Sequence, residues 1–111
     1  PAGIGIGMAP PTVGAPVLDV TALDLQVGPS PVRSEARITF ALPRAGHVTI
    51  DVFDVNGRRV RRVLDESRTA GSSSVTWAAL DDSGSRVAPG AYFAVLASEG
   101  RAVSRKLVVL Q

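Results

Sequence analysis

The chain has 111 residues, which fits one domain with a modest core and is too short for two. It carries no cysteine, so disulfides, thiolate metal sites and a cysteine nucleophile are excluded. The formal net charge is only +2, no polycation, and no apolar run reaches the roughly 18 residues of a membrane span.

Residues 1–20 read as an extended apolar tail, distinct from a β-sandwich over 21–111. In PAGIGIGMAP, Gly3, Gly5 and Gly7 alternate with Ile4, Ile6 and Met8. Written as a strand, this places the bulky side chains on one face and leaves the other bare. Pro10, Pro11 and Pro16 then favour a polyproline-like connector, and no charge appears before Asp19. A chain that opens on Pro1, without initiator Met or signal sequence, reads as a mature exported protein.

From residue 21 the period is two. Leu23, Leu25 and Val27 alternate with Asp24 and Gln26, a first strand closed by Gly28-Pro29-Ser30-Pro31. Ala36, Ile38, Phe40 and Leu42 alternate with Arg37 and Thr39, a second strand. Val48, Ile50 and Val52 make the inner face of a third. The segment Val48 to Leu64 then reads as a hairpin turning at Asn56-Gly57.

Two registers compete in that hairpin. A two-residue Asn-Gly turn sets Val52 opposite Arg61 and Ile50 opposite Val63. A turn over Asp54-Val55-Asn56-Gly57, with Gly57 left-handed, sets Val52 opposite Val60 and Val48 opposite Leu64. The second is preferred because it gathers the apolar residues on one face and brings Asp51 near Arg61.

Asp65 to Ser73 reads as a polar loop. Val75 and Trp77 begin another strand, Asp81-Asp82-Ser83-Gly84 a turn, and Val87 a brief pairing. Ala91 to Ala97 is apolar on both faces, as befits a central strand. Glu99-Gly100 turns the chain into a last strand, Val103 to Leu110. About seven short antiparallel strands without helical periodicity make the chain all-β, a sandwich with an extended N-terminal strand.

These elements carry a family resemblance. PSPVR (29–33), ITFALPRAGHVTIDVFDVNGRRV (38–60), AG (70–71), VTW (75–77), DDSG (81–84), PGAYFAVL (89–96) and SRKLVVL (104–110) follow one another as in the immunoglobulin-like domain first named in the flagellar hook-capping protein. That domain is similar to the C-terminal sorting domains of type IX secretion. The resemblance spans roughly residues 23–111 and implies an immunoglobulin-like fold. The family's usual Pro-Asn-Pro is Pro29-Ser30-Pro31 here, and its Trp-Asp-Gly is Trp77-Ala78-Ala79. Residues 1–20 have no counterpart in it.

No residue pattern points to catalysis. His47 is the single histidine, with no nucleophile elbow to serve, and reads as a surface residue. Asp81 and Asp82 lack EF-hand spacing and a distal bidentate Glu, so they read as turn residues and not as a calcium site. Trp77 and Tyr92 read as core before they read as a sugar platform. The basic cluster Arg58, Arg59, Arg61, Arg62 and Arg68 lacks the interleaved exposed aromatics of a nucleic-acid face. It reads as edge protection or a subunit contact.

No cofactor, metal or nucleic acid is expected, and the chain is expected not to be an enzyme. The expected function is a structural subunit of an extracellular or cell-surface bacterial filament. Each copy would donate its N-terminal strand, head to tail, to a sheet edge of the next. The interface residues would be Ile4, Ile6, Met8 and Val13 with Arg58, Arg59 and Arg61. The alternative, implied by the resemblance, is a C-terminal sorting or attachment domain of a larger exported protein, recognised by secretion machinery.

Overall fold

In the computed structural model, residues 22–28 and 31–110 are described. The predicted tail strand of Ile4, Ile6 and Met8, and Val13 with its proline connector, lie outside the described residues. The described strands are β1 (Asp24–Gly28), β2 (Ala36–Leu42), β3 (Gly46–Asp54), β4 (Arg59–Arg68), β5 (Gly71–Trp77), β6 (Gly90–Ser98) and β7 (Arg101–Val109). They form two antiparallel sheets, one in the order β1-β2-β5 and one in the order β4-β3-β6-β7. The architecture is an immunoglobulin-like sandwich.

Alternation sets which face of each strand is inside. On β2, Ala36, Ile38, Phe40 and Leu42 are buried while Arg37 and Thr39 are exposed. On β3, Val48, Ile50 and Val52 are fully buried. The partners agree across the ladders: Leu25 faces Phe40, Ile50 faces Leu96, and Tyr92 faces Leu107. Each such aliphatic or aromatic side chain contributes about 1.5–3 kcal/mol on burial. The central strand β6 is apolar on both faces for a physical reason. Its outer residues Ala91, Phe93, Val95 and Ala97 are half-covered by the strands on either side, β3 and β7.

The hairpin turn is the four-residue one. Gly57 N donates to Asp54 O at 3.0 Å, Asp54 N donates to Arg58 O at 3.0 Å, and Gly57 has φ 82°, a conformation glycine adopts without penalty. The register expected from that turn holds only beside it. Phe53 faces Arg59, but Val52 faces Arg61, Asp51 faces Arg62, and Ile50 faces Leu64. Two bulges account for this, each giving β4 one extra residue, Val60 and then Val63. Val48 therefore faces Glu66 and not Leu64, and Asp51 takes Arg62 rather than Arg61 as its partner. The bulges also let Val60 and Val63 pack part-buried against the core while Arg62 reaches out between them.

The predicted loop Asp65–Ser73 is mostly strand. β4 runs to Arg68, paired with Gly46, and β5 begins at Gly71, paired with Leu42. Between these two strands only Thr69 and Ala70 remain to cross from one sheet to the other. Both strands lie at sheet edges, where side chains face solvent and the sequence is correspondingly polar.

The departure at Trp77-Ala78-Ala79 has a structural cost. Ala79 is completely buried at φ 60°, left-handed, and its carbonyl accepts a hydrogen bond from Val87 N at 3.0 Å. For an L-residue that conformation costs about 1–2 kcal/mol. Ala79→Gly is therefore expected to leave stability unchanged or to raise it by up to about 1 kcal/mol. Ala94→Gly, equally buried but in the middle of β6, should lower it by at least about 1 kcal/mol. Chemical denaturation of the two variants checks the contrast.

Candidate interaction surface

The arginine-bearing strand β4 is an outer edge of the four-stranded sheet. Beside the hairpin turn this edge is covered by the loop 81–85. Asp82 N donates to Val60 O at 2.9 Å, and Arg62 N donates to Asp82 Oδ1 at 3.1 Å. The loop is held in turn by Asp81. Its Oδ1 accepts from Ser83 N (2.9 Å), Ser83 Oγ (2.6 Å) and Ser85 N (2.9 Å), and Gly84 N closes the turn on Asp81 O (3.0 Å). Asp81 and Asp82 thus bond protein groups, as turn residues and edge cover.

Those bonds have an electrostatic consequence. The Ser83 hydroxyl first, then the Ser85 amide, hold the Asp81 carboxyl below the usual carboxylate range, against a smaller opposing effect of desolvation. A carboxylate with a lowered folded-state pKa stabilises the fold above its unfolded pKa. That contribution fades as pH falls from the unfolded value through the folded one. Asp81→Asn is accordingly expected to melt below the parent at neutral pH, with the gap narrowing in acid. Melting temperatures measured between neutral pH and strong acid check this.

The arginines are largely consumed within the domain. Arg62 Nε and Nη2 reach the two oxygens of Asp51 at 2.9 and 3.2 Å, and Nη1 reaches Asp65 Oδ2 at 3.2 Å. Arg61 Nη1 donates to Asp81 O at 3.0 Å. Arg59 Nε lies 3.8 Å from Asp82 Oδ2. The Arg58 amide donates to Asp54 Oδ1, and its guanidinium has no partner among the described residues. Arg58 and Arg59 border a shallow depression of about 420 Å³ with Asp54, Asp82, Arg86 and Tyr92. Acid and base alternate around it, so it offers no field of one sign to a polyanion.

Of the predicted interface residues, the structure brings Arg58 and Arg59 to one surface and turns Arg61 inward against the 81–85 loop. His47 is exposed at the start of β3, its Nε2 2.5 Å from Asp65 Oδ1. That contact, ahead of Arg62, holds the Asp65 carboxyl below its ordinary range. Trp77 and Tyr92 are 2% and 7% exposed, edge to face with centroids 5.9 Å apart, so they offer no stacking platform. Among the described residues no group of three or more His, Asp or Glu is placed to hold a metal ion, and no helix is long and apolar enough to cross a membrane.

Sequence reasoning missed the cover over β4. DDSG reads as a turn, but nothing in the spacing says that the turn lies against Val60 and Arg62. It counted Arg68 in the basic cluster but missed its contact: the guanidinium lies 5.8 Å from the centroid of the Phe40 ring on the other sheet. The Arg68 Nε stands 2.6 Å from Glu66 Oε2, off the line of a hydrogen bond, so that pair is ionic without being directional.

A family model described as FlgD Ig-like domain matches residues 30–101. No curated protein sequence matches the chain at a significant level. Among solved structures, latent dimeric PorU of Porphyromonas gingivalis is similar at 21% identity with a TM-score of 0.62, over 79% of this chain and 9% of PorU. PorZ of the same organism, an essential surface component of its type IX secretion system, is 22% identical with a TM-score of 0.52, over 78% of this chain and 11% of PorZ. FlgD of Xanthomonas campestris, whose hook capping is essential for flagellar assembly, is 26% identical with a TM-score of 0.55. That match covers 83% of this chain and 64% of FlgD. The chain thus spans about a tenth of the length of PorU and PorZ and about two thirds of that of FlgD.

Proposed function

The chain belongs to the FlgD Ig-like domain family, and on that premise we propose that it is a non-enzymatic structural module of an extracellular or surface-exposed bacterial assembly. It joins its neighbours by strand addition, the Ile4, Ile6 and Met8 segment of one copy entering a sheet edge of the next. Val13 and the exposed Arg58 and Arg59 lie at the junction.

One observation carries this reading. Among the described residues, Leu25 to Val109 supply the buried apolar core, and the family match begins at residue 30. The bulky and bare alternation at Gly3 to Met8 lies before the stretch that the family shares, which does not call for it. A surplus strand pattern is the raw material of donor-strand assembly, in which backbone hydrogen bonds supply affinity and alternate side chains supply fit. Hook capping in FlgD supports a role in assembly rather than in chemistry.

A second reading has its own support. PorU and PorZ are similar to this chain over only 9% and 11% of their length, so the domain occurs as a small part of large proteins. On that reading the chain is a sorting or attachment domain read by secretion machinery, with residues 1–20 as its connector.

Deleting residues 1–10 separates the two. Light scattering and negative-stain microscopy of the purified chain should show oligomers or filaments for the parent and monomers for the deletion. A parent that is monomeric at all concentrations would sink the assembly reading.

A further inference from the structure

We propose that the acceptor for the donated strand is the outer edge of β5, and that Gly3 to Met8 of a neighbouring copy adds there as a fourth strand to the three-stranded sheet. This rests on the strand-addition reading above and deepens it by naming the acceptor. A sheet edge accepts a strand only where nothing spoils it.

Among the described residues the two sheets have four edges: β4, β7, β1 and β5. β4 is broken by two bulges, studded with arginine, and covered at its hairpin end by the 81–85 loop. β7 is occupied at its end, where Val32 N donates to Val108 O at 2.7 Å and Leu110 N donates to Val32 O at 2.8 Å. It also carries Arg105, opposite the buried Ala94, whose side chain reaches to within 3.9 Å of Asp24, an inward-pointing charge that repels an added strand. β1 is five residues long, charged at Asp24, and followed in sequence by Pro29 and Pro31.

β5 has none of these devices. GSSSVTW contains no charge and no proline, and its register with β2 runs unbroken over seven pairs, from Leu42 opposite Gly71 to Ala36 opposite Trp77. No backbone hydrogen bond reaches its outer side among the described residues.

The shape of the edge fits the donor. The inward-facing β5 residues Gly71, Ser73 and Val75 are small and only half-buried. At the Trp77 end of β5 a slot of about 130 Å³ opens, lined by Arg61, Val63, Thr76, Trp77, Ala78 and Leu80. A strand beside β5 would place alternate side chains over this opening, where Ile4, Ile6 and Met8 supply the bulk that β5 lacks. Gly3, Gly5 and Gly7 would then lie on the outer face beside the exposed Ser72, Ser74 and Thr76. The donor segment and β5 are themselves uncharged, so the new ladder pairs no ions; the cation at the opening, Arg61, is already bonded to Asp81 O, and Arg58 and Arg59 stand beside the junction. Residues 1–21 precede the first described residue, a length that spans up to about 70 Å when extended, enough to reach a second domain.

The chain has no cysteine, so engineered pairs are the only thiols present. Gly5→Cys is combined in the full chain with Ser72→Cys, Ser74→Cys or Thr76→Cys, and, for the competing edge, with Gln26→Cys on β1. After mild oxidation with diamide, non-reducing gels should show a ladder of linked chains for at least one β5 pair, collapsed by dithiothreitol, and at least tenfold less for the Gln26 pair. Linkage at Gln26 alone would overturn the β5 assignment and leave strand addition standing. A linked product of single-chain mass would place the strand on its own domain and overturn the proposal. Dimers from Ser74→Cys without Gly5→Cys would show edge-to-edge pairing of two β5 strands, which also overturns it. No linkage with no assembly would sink both the acceptor and the strand-addition reading.

Discussion

Trp77→Ala is expected to destabilise the domain by about 3–5 kcal/mol, a large part of the roughly 5–15 kcal/mol that holds a domain of this size together. Trp77 is 2% exposed and fills the corner between the end of β5 and the strand β6. Its indole N–H donates to Leu80 O at 2.8 Å, which fixes the tight path of Ala78 and Ala79. Its ring meets Tyr92 edge to face at 65°. Tyr92 is anchored by its own hydroxyl, which donates to Ala88 O at 2.6 Å. Truncation therefore removes the packing and leaves the Leu80 carbonyl without its donor. Trp77→Phe keeps most of the apolar contact and should lose less than Trp77→Ala. Val55→Ala, at a position 67% exposed, should change stability by no more than about 0.5 kcal/mol. Urea unfolding followed by circular dichroism gives all three values. A platform tryptophan would behave differently, with little stability lost on truncation.

What the sequence made legible is what alternation controls. The inner faces of β2, β3 and β6 could be read because each sits between a core and a solvent or neighbour face, and burial imposes a period of two. The turn at Gly57 could be read because a left-handed residue there calls for glycine. The pairing beyond it could not. A bulge is one unpaired residue, and Val60 and Val63 look like any other valine in a strand. The stretch Asp65–Ser73 was illegible for a related reason: β4 and β5 are edges, so their solvent-facing positions carry Asp, Glu and Ser, which in a one-dimensional reading look like a loop. Of the candidate interface, the arginine cluster was visible. Its neutralisation was not, because Asp51 and Asp82 come from distant positions and meet Arg62 and Arg59 only through sheet pairing and the returning loop; Asp65, three residues after Arg62 on the same strand, was the one partner within local reach.

Phe40→Ala is expected to lose a comparable amount, about 3–5 kcal/mol. Phe40 is 1% exposed at the centre of the three-stranded sheet, opposite Leu25 on one side and the small Ser73 on the other. Because Ser73 cannot cover the ring, the side chain of Arg68 from the other sheet does so, with its guanidinium 5.8 Å from the ring centroid. This contact closes the sandwich at the point where Thr69 and Ala70 cross from β4 to β5. A double-mutant cycle between Phe40→Leu and Arg68→Met should give a coupling of about 0.5–1 kcal/mol, the range for a cation over an aromatic face. Zero coupling would mean that Arg68 covers the ring only as an aliphatic stem, a role methionine fills equally well. A measurable coupling would mean that charge over the ring helps to hold the two sheets together beside β5. The edge proposed to receive a neighbour's strand would then be fixed in place by a residue of the opposite sheet.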